Sequence, residues 1–138
     1  MILLDTNVVS EMMRMRPAAR VVSWMASQPA NSLYISSITQ AEILHGLMLL
    51  PQGRKRRELE QAAAGMFSQD FAERVLAFDG AAAVAYAQIA ADRRRAGRPI
   101  AVFDAQIAAV ARAAGAVLAT RNTADFARCG VELLNPWT

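Results

Sequence analysis

The sequence has very few of the residues on which redox, disulfide and soft-metal chemistry depend. Its 138 residues include one cysteine, Cys129, and one histidine, His45. A single cysteine excludes an internal disulfide framework and a zinc site built from several thiolates. A Ser-His-Asp triad would have to use His45, and no nucleophile-elbow motif accompanies it.

Several binding motifs and targeting features are also missing. The only lysine, Lys55, lies in GRKRR, so there is no P-loop, and the chain has no GxGxxG dinucleotide motif. No apolar run approaches the ~20 residues that span a bilayer. The N-terminus lacks a basic region and carries Asp5 where the apolar centre of a signal peptide would be. We therefore expect a cytoplasmic protein with no membrane partner.

The composition that remains is typical of one globular domain over residues 1–138. Hydrophobic residues make up 54% of the chain and charged residues 20%, as in folded rather than disordered proteins. This length is enough to bury a substantial core. The net charge is +3, and all but one of the 15 basic residues are arginine. A modest basic excess is compatible with a polyanionic partner without requiring one.

Short apolar strands alternate with helical patterns along the chain. The strands are apolar throughout, as strands buried on both faces are. They are predicted at Ile2–Leu4, Leu33–Ser36, Val75–Phe78, Ala116–Thr120 and Val131–Leu134. Helices are predicted over Thr6–Met13, Pro17–Ser27, Arg54–Phe67, Asp79–Ala96 and Ala101–Ala114, with another that begins at Ser37. The alternation predicts an α/β fold with a doubly wound, mainly parallel sheet of four to five strands and helices on both faces.

Several residues are predicted to cap these helices. Ser37 and Gln40 have the spacing of a capping box. Asp79 follows a strand and precedes a helix, and we interpret it only as an N-cap. Gly115 is predicted to end the last helix as a C-terminal cap. Thr6 or the following Asn7 can cap the first helix, which would leave the preceding carboxylate available for other chemistry.

Four acidic residues are predicted to lie at one edge of the sheet, where α/β proteins bind their ligands. Asp5 ends the first strand, and Glu42 lies one turn into the helix after the second strand. Asp104 lies in the first turn of the last helix, and Asp125 follows the fourth strand. Each of them alone has a structural explanation, because caps and acidic side chains are favoured at helix N-termini.

The clustering of these carboxylates requires a compensating charge. Neither Asp5 nor Asp104 has a basic residue within about one helical turn in sequence. Two carboxylates ~4 Å apart repel by up to ~4 kcal/mol at an effective dielectric of about 20, so the cluster needs a cation or shared protons. Oxygen ligands without cysteine or histidine suit Mg²⁺ or Mn²⁺. A metal held there could activate a water and neutralise charge on a phosphoryl oxygen, which indicates metal-assisted phosphodiester hydrolysis.

Two arginine-rich stretches suit phosphate, although such runs are also typical of solvated surfaces. GRKRR lies in a polar helical segment, whereas RRRAGR leads into the loop before the last helix. The second stretch is better placed for RNA, because its chain returns directly to the acidic site. The candidate RNA-binding residues are Arg93, Arg94, Arg95, Arg98 and Arg121.

Four segments together resemble the PIN-domain family, and specifically VapC-type toxins of bacterial toxin–antitoxin pairs. The segments are LLDTNVVSE, SSITQAEILHG, GRPIAVFDAQIAAVARAAG and LATRNTADFARCGVELLNPW, in the order and spacing of the family. The resemblance implies a Mg²⁺- or Mn²⁺-dependent ribonuclease with a doubly wound α/β fold. It also implies a homodimer and a cognate antitoxin protein that occupies the active site.

The resemblance also implies roles for individual positions. Asp5 and Asp104 would be the metal ligands, and Glu42 would complete the acidic cluster and orient or deprotonate the attacking water. Thr6 and Thr120 would be polar supports near the metal. These roles would make the chain a nuclease that cleaves RNA with a metal-activated water.

One position departs from the commonest pattern of the family. The fourth acid of the family commonly sits where this chain has Asn122, with a further acid three residues on, here Asp125. Asn122 can ligate through its carbonyl or hold a water, but it adds no negative charge. This favours an alternative, a PIN-like module that has lost catalysis and binds RNA or protein. A DNA-directed nuclease also stays open, because metal-assisted hydrolysis does not need the 2′-hydroxyl.

Overall fold

A five-stranded parallel sheet forms the centre of the computed structural model, which describes residues 1–138. The strands are β1 (Ile2–Leu4), β2 (Leu33–Ser36), β3 (Val75–Leu76), β4 (Val117–Ala119) and β5 (Leu133–Leu134). Their order is β3-β2-β1-β4-β5, and every neighbouring pair is parallel. This confirms the predicted doubly wound α/β fold and places the reversal of strand order beside β1 and β4.

Six helices connect and cover these strands. They are α1 (Thr6–Met12), α2 (Ala19–Ser27), α3 (Ser37–Met48), α4 (Arg54–Gly65), α5 (Gly80–Arg95) and α6 (Val102–Ala114). A π-helical segment at Met66–Asp70 continues α4, and 3₁₀ turns lie at Ala30–Ser32 and Thr123–Phe126. Every helix is too short or too polar to cross a membrane.

The two faces of the sheet belong to two separate hydrophobic clusters, because successive strand residues point to opposite faces. Leu3 packs with Ile89 of α5 and Ile107 of α6. Leu4 packs on the other face with Val8 of α1 and Ile43 of α3. Helices therefore cover both faces, which explains why the strands are apolar at consecutive positions.

The outer strands are shorter than the sequence predicts. The predicted strand over Val75–Phe78 ends at Leu76, and the one predicted from Val131 begins at Leu133. Each of these strands has a single neighbour, which is itself only three or four residues long. Hydrogen bonding to that neighbour ends after two residue pairs, so the apolar residues beyond it leave the sheet.

The caps follow the prediction at two helices and differ at a third. Asp79 caps α5, and Gly115 ends α6 with φ +66°, the left-handed conformation that glycine favours. The N-cap of α3 is Ser36, whose Oγ accepts a 3.1 Å hydrogen bond from the backbone N–H of Thr39. The capping box predicted at Ser37 is therefore wrong by one residue, because β2 runs directly into the helix.

Candidate active site

Six of the twelve predicted site residues line one cleft at the carboxyl ends of β1, β2 and β4, where strand order reverses. Ligands in open α/β sheets bind at this position. The cleft has a volume of about 470 Å³. It is lined by Asp5, Thr6, Asn7, Ser10, Glu11, Arg14, Glu42, Asp104, Arg121, Asn122 and Trp137.

Asp5 is fixed by the sheet and by both oxygens of its carboxylate. Its backbone N–H donates to the carbonyl of Ala119 in β4 at 2.9 Å, which continues the pairing of the strands. Oδ1 accepts a 2.8 Å hydrogen bond from the backbone N–H of Thr6, and Oδ2 accepts a 2.7 Å bond from the hydroxyl of Thr120. Asp5 is therefore itself the N-cap of α1. The expectation that Thr6 or Asn7 would cap this helix is wrong.

The environment of Asp5 disfavours its negative charge. The pKa of Asp5 is raised to about 6, and burial is the largest cause. The hydrogen bonds from Thr120 and Thr6 lower this pKa, whereas the negative charges of Asp104 and Glu42 contribute to raising it. Ionised Asp5 is thus under-compensated at neutral pH, and a cation in the cleft would stabilise it.

Glu42 is held by Thr6 from the first turn of α1. The Thr6 hydroxyl donates a 2.7 Å hydrogen bond to Oε1 of Glu42. The same hydroxyl lies 3.0 Å from Oγ1 of Thr39, which is fully buried. Thr6 therefore contacts Asp5 through its backbone and Glu42 through its side chain, so it links two of the acidic residues.

Asp104 brings the third carboxylate into the cleft from the first turn of α6. It is half-buried, and burial is the main cause that raises its pKa. The charges of Glu42 and Asp125 raise it further. Asp104 therefore faces negative charge from Glu42 and Asp125 while it lines the same cleft as Asp5.

Thr120 connects the end of β4 to the acidic residue of β1. It is fully buried, and its hydroxyl oxygen accepts hydrogen bonds from the backbone N–H of Asn122 at 3.1 Å and from Nδ2 of Asn7 at 3.4 Å. Its hydroxyl proton goes to Asp5. Asn122 lines the cleft, whereas Asp125 is exposed on the following 3₁₀ turn and is not part of the lining.

The cleft offers a cation only oxygen ligands, from the carboxylates of Asp5, Glu42 and Asp104 and the amide of Asn122. This donor set suits Mg²⁺ or Mn²⁺ in kind. In their present positions, no three acidic, histidine or cysteine side chains are arranged closely enough to hold a metal ion. The residues fit a hard divalent cation by chemistry and charge, because Mg²⁺ is commonly held by one or two carboxylates and completes its coordination with waters.

Arg93 is buried and contributes to structure instead of facing solvent. Its side chain belongs to a residue only 7% exposed. Nε donates to the carbonyl of Arg98 at 2.7 Å, and Nη1 donates to the carbonyls of Asp125 and Ala127 at 2.9 Å each. These bonds join the end of α5 to the turn after β4. We therefore withdraw Arg93 from the RNA-contacting set.

The other arginine candidates divide by their distance from the cleft. Arg94, Arg95 and Arg98 are exposed and do not line the cleft, and Arg95 lies 3.5 Å from the carboxylate of Asp92. Arg121 lines the cleft together with the acidic residues. It is the one member of the predicted arginine set that shares the cleft with the carboxylates.

The sequence reasoning missed Ser10, Glu11, Arg14 and Trp137 of the lining, and it considered Asn7 only as a helix cap. Glu11 is buried, and its carboxylate accepts a 2.8 Å hydrogen bond from the backbone N–H of Ala18, which lowers its pKa. Arg14 lies 3.2 Å from the same carboxylate and lowers that pKa further. The helical spacing from Asn7 through Glu11 could have indicated this face of α1. Trp137, in the irregular C-terminal segment, carries no such signal.

Comparison with known proteins identifies the family of the chain. The sequence model of one family, described as "PIN domain", matches residues 2–131. The plasmid stability protein StbB of Pseudomonas syringae pv. tomato is 43% identical over 99% of both chains. The toxin FitB of Neisseria gonorrhoeae is 42% identical over 99% of both chains. The VapC ribonuclease Y4jK of Sinorhizobium fredii is 39% identical over 99% of this chain and 98% of its own.

Solved structures show the same fold in complexes. The structure of FitAB bound to the IR36 DNA fragment superposes with a TM-score of 0.94 at 41% identity, over 100% of this chain and 96% of the other. A toxin–antitoxin complex from Klebsiella pneumoniae superposes with a TM-score of 0.71 at 26% identity, over 99% and 98% of the two chains.

Proposed function

The chain belongs to the PIN-domain family and is of the VapC type, and on that premise we propose that it is the toxin of a toxin–antitoxin pair. Its proposed activity is the hydrolysis of RNA phosphodiesters as an endoribonuclease that uses Mg²⁺ or Mn²⁺. The observation that carries the proposal is the placement of Asp5, Glu42 and Asp104 around one cleft at the switch point of the sheet. The names of the relatives, VapC ribonuclease and toxin FitB, support it.

The proposed roles follow from how each carboxylate is held. Asp5 and Asp104 are the proposed metal ligands, because both carry charges that their surroundings disfavour. Bound there, the cation would supply Lewis-acid activation of a water and stabilisation of charge on the phosphoryl oxygen. Glu42, oriented by the hydroxyl of Thr6, is the proposed group that positions the attacking water or accepts its proton.

The hydrogen bonds to Asp5 keep its carboxylate from rotating away from the cleft. Thr120 and the backbone N–H of Thr6 each bond a different oxygen, and each oxygen retains a further lone pair for a ligand. Asn122 adds an amide that can ligate or hold a water, but it cannot act as a carboxylate base. The reaction proposed here therefore depends on three acidic residues rather than four.

The neutral amide of Asn122 favours a second candidate function, a domain that binds RNA or protein without cleaving it. The three retained carboxylates oppose it, because a pure binding surface for RNA has no use for acidic groups that repel phosphate. In a nuclease, a bound cation would compensate the negative charges of Asp5 and Asp104. In a domain that only binds RNA or protein, these two charges would destabilise the fold and have no function.

An apolar groove beside the cleft is the proposed site for an antitoxin segment. It has a volume of about 480 Å³, and its apolar lining includes Met13, Ile43, Leu47 and Leu59. It shares Thr6, Ser10, Arg14 and Glu42 with the acidic cleft. An apolar helix could fill the groove and extend a basic residue toward the carboxylates. The existence of toxin–antitoxin complexes among its structural relatives supports this partner.

We also propose that the chain forms a homodimer. Val84 of α5 and Val102 and Phe103 of α6 are 62%, 56% and 54% exposed. Exposed apolar side chains of this size are typical of interfaces when they lie together. Sedimentation equilibrium should give twice the 14.9 kDa mass of the chain, and a Phe103→Asp variant should give the monomer mass.

The nuclease proposal is tested by cleavage of RNA and DNA with matched aspartate variants. The protein is incubated with single-stranded RNA or DNA in Mg²⁺, in Mn²⁺ or in chelator. We expect RNA cleavage only with a divalent ion, and its loss in Asp104→Asn. Asp79→Asn makes the same change at a helix cap outside the cleft, where asparagine can still cap α5, and it should keep activity. Equal activity of the Asp104→Asn protein would contradict the assignment, and cleavage of DNA alone would make it a DNA nuclease.

A further inference from the structure

Arg121 and Trp137 are stacked at the rim of the acidic cleft. The guanidinium carbon of Arg121 lies 5.2 Å from the centroid of the Trp137 ring system. Cations within about 6 Å of an aromatic centroid are attracted by the ring. Both residues line the same cleft as Asp5 and Asp104. The positive charge of Arg121 therefore lies beside the proposed reaction centre, where it packs against the ring of Trp137.

Trp137 is held in place both by packing and by a hydrogen bond. Trp137 is half-buried and packs against the hydrophobic cluster on the α1–α4 side of the sheet. Asn135 ties the two stacked residues together through their backbones. Its Oδ1 accepts a 2.9 Å hydrogen bond from the N–H of Trp137, and its Nδ2 donates a 3.4 Å bond to the carbonyl of Arg121. The C-terminal segment therefore holds the ring of Trp137 in place, and the guanidinium of Arg121 packs on that ring.

The backbone of Arg121 is also connected to the acidic residues. Its N–H donates a 3.4 Å hydrogen bond to Oδ1 of Asn7. The preceding residue, Thr120, donates its hydroxyl proton to Asp5. The start of the Arg121 side chain is therefore fixed relative to the carboxylate of Asp5, and Trp137 fixes its far end.

The charge balance of the cleft singles out Arg121. Four carboxylates line the cleft, and the three outside the Glu11–Arg14 pair repel the phosphates of a nucleic acid strand unless a cation compensates. Two arginines line the same cleft. Arg14 lies 3.2 Å from the carboxylate of Glu11 and is already paired. Arg121 forms no salt bridge to any carboxylate. Its donors are available for an anion that enters the cleft.

We propose that Arg121 contacts a backbone phosphate of the bound RNA and that Trp137 is its positioning residue, an inference that rests on the proposed ribonuclease function. The indole holds the guanidinium in one orientation before RNA arrives, so less side-chain freedom is lost on binding. A planar guanidinium presents paired N–H donors that match the oxygens of a phosphate. Trp137 acts through Arg121 and not through contact with a base.

A double-mutant cycle on RNA binding tests this division of roles. The Asp5→Asn protein is used so that the probe, a fluorescein-labelled single-stranded RNA of mixed sequence, stays intact. Arg121→Gln should weaken binding roughly tenfold and reduce the salt slope of log Kd by about 0.7, the value for one lost phosphate contact on a single strand. Trp137→Leu should weaken binding about threefold when Arg121 is present. It should have no further effect in the Gln-substituted background.

Conservative variants separate positioning from loss of folding. Trp137→Phe keeps an aromatic face and should bind RNA within about twofold of the parent protein. Asn135→Ala keeps the indole of Trp137 but removes the two side-chain hydrogen bonds that tie Trp137 to Arg121. It should weaken binding about twofold, and again only when Arg121 is present. Trp24→Phe changes the other tryptophan, outside the cleft lining, and should leave binding unchanged.

The outcomes distinguish this inference from the function on which it rests. An unchanged Kd and salt slope for Arg121→Gln would overturn the phosphate contact. Equal weakening by Trp137→Leu in both backgrounds would overturn the positioning role, because the indole would then contact RNA itself. RNA cleavage by the wild-type protein is measured in parallel. Its absence contradicts the ribonuclease proposal, and absence of RNA binding by the Asp5→Asn protein overturns the inference as well.

Discussion

The hydroxyl of Thr120 donates a 2.7 Å hydrogen bond to Oδ2 of Asp5, although 115 positions separate the two residues. The bond joins the ends of β1 and β4 at the point where strand order reverses. It lowers the pKa of Asp5 against the opposing effect of burial. The stability of the sheet edge and the charge of the site are therefore coupled through one hydroxyl.

Removal of that hydroxyl should affect both properties. Thr120→Val keeps the shape of the side chain but leaves Oδ2 of Asp5 without its donor. We expect the free energy of unfolding to fall by about 1–3 kcal/mol, as measured by urea denaturation. We expect the pKa of Asp5 to rise above its present value of about 6, as measured by NMR titration of its carboxyl carbon. Thr120→Ser keeps the donor and serves as the control. An unchanged pKa in the valine variant would contradict the coupling.

The raised pKa of Asp5 predicts a dependence of stability on pH in the cation-free protein. Its folded-state pKa of about 6 exceeds the ordinary value of 3.8, so the folded state binds the proton more tightly than the unfolded state. The contribution of Asp5 to stability is therefore greatest below about pH 4 and is lost as the pH rises to about 6.

Asp5→Asn isolates this contribution, because asparagine stays neutral throughout. The difference in free energy of unfolding between the variant and the wild type should shift in favour of the variant by about 2–3 kcal/mol between pH 4 and pH 7. Urea denaturation in chelator at both pH values measures it. A difference that stays constant with pH would show that burial does not perturb Asp5.

A fourth carboxylate at Asn122 should strengthen cation binding. Asn122→Asp adds a negative charge to the cleft that Asp5, Glu42 and Asp104 line. Affinity for Mn²⁺ should rise roughly tenfold, because the number of charged ligands tunes the affinity of such sites. Isothermal titration measures it, and Asn122→Ala is the matched control that adds no charge. Equal affinities of the aspartate and alanine variants would place the cation away from this residue.

Arg93 should matter for stability and not for RNA binding. Arg93→Met removes the donors for three backbone carbonyls and should lower the free energy of unfolding by about 2–4 kcal/mol. Arg94→Gln, at the exposed neighbouring position, should change it by less than about 0.5 kcal/mol. Urea denaturation compares the two. Full stability of the Arg93→Met protein together with weakened RNA binding would restore the role first expected from the sequence.

The convergence of the acidic residues could be predicted because the sequence carried the two facts it depends on. Apolar runs marked the strands, and parallel strands end at one edge of the sheet. From these two facts the sequence predicts that Asp5, Glu42 and Asp104 lie together. Asp125 lies several residues beyond its strand, where the path of the loop decides its position, and it lies outside the cleft lining.

The burial of Arg93 was missed although the sequence carried a signal for it. The buried positions of α5 are Ala82, Ala85, Ile89 and Arg93. They recur at the spacing of one helix face, so the arginine continues an apolar stripe. Arg93 also begins a run of three arginines, and such runs are typical of a solvated surface, which is the opposite expectation.

The role of Trp137 could not be predicted, because no periodic pattern governs a short segment after the last strand. Its place beside Arg121 depends on the hydrogen bonds of Asn135. The position of the α3 cap at Ser36 was missed for a similar local reason. It is set by where β2 ends, and sequence patterns locate such ends only to within a residue or more.

We propose that the chain hydrolyses RNA with water and that the cleft carboxylates would hold the divalent cation that assists. This claim is tested most directly by the initial rate of RNA cleavage against Mn²⁺ concentration for the wild-type and Asp5→Asn proteins. We expect a saturable rate for the wild type, none in chelator, and a loss of at least about a hundredfold in the variant. The pH experiment above shows whether that variant is folded. Full cleavage by a folded Asp5→Asn protein, or wild-type cleavage that persists in chelator, would contradict the claim.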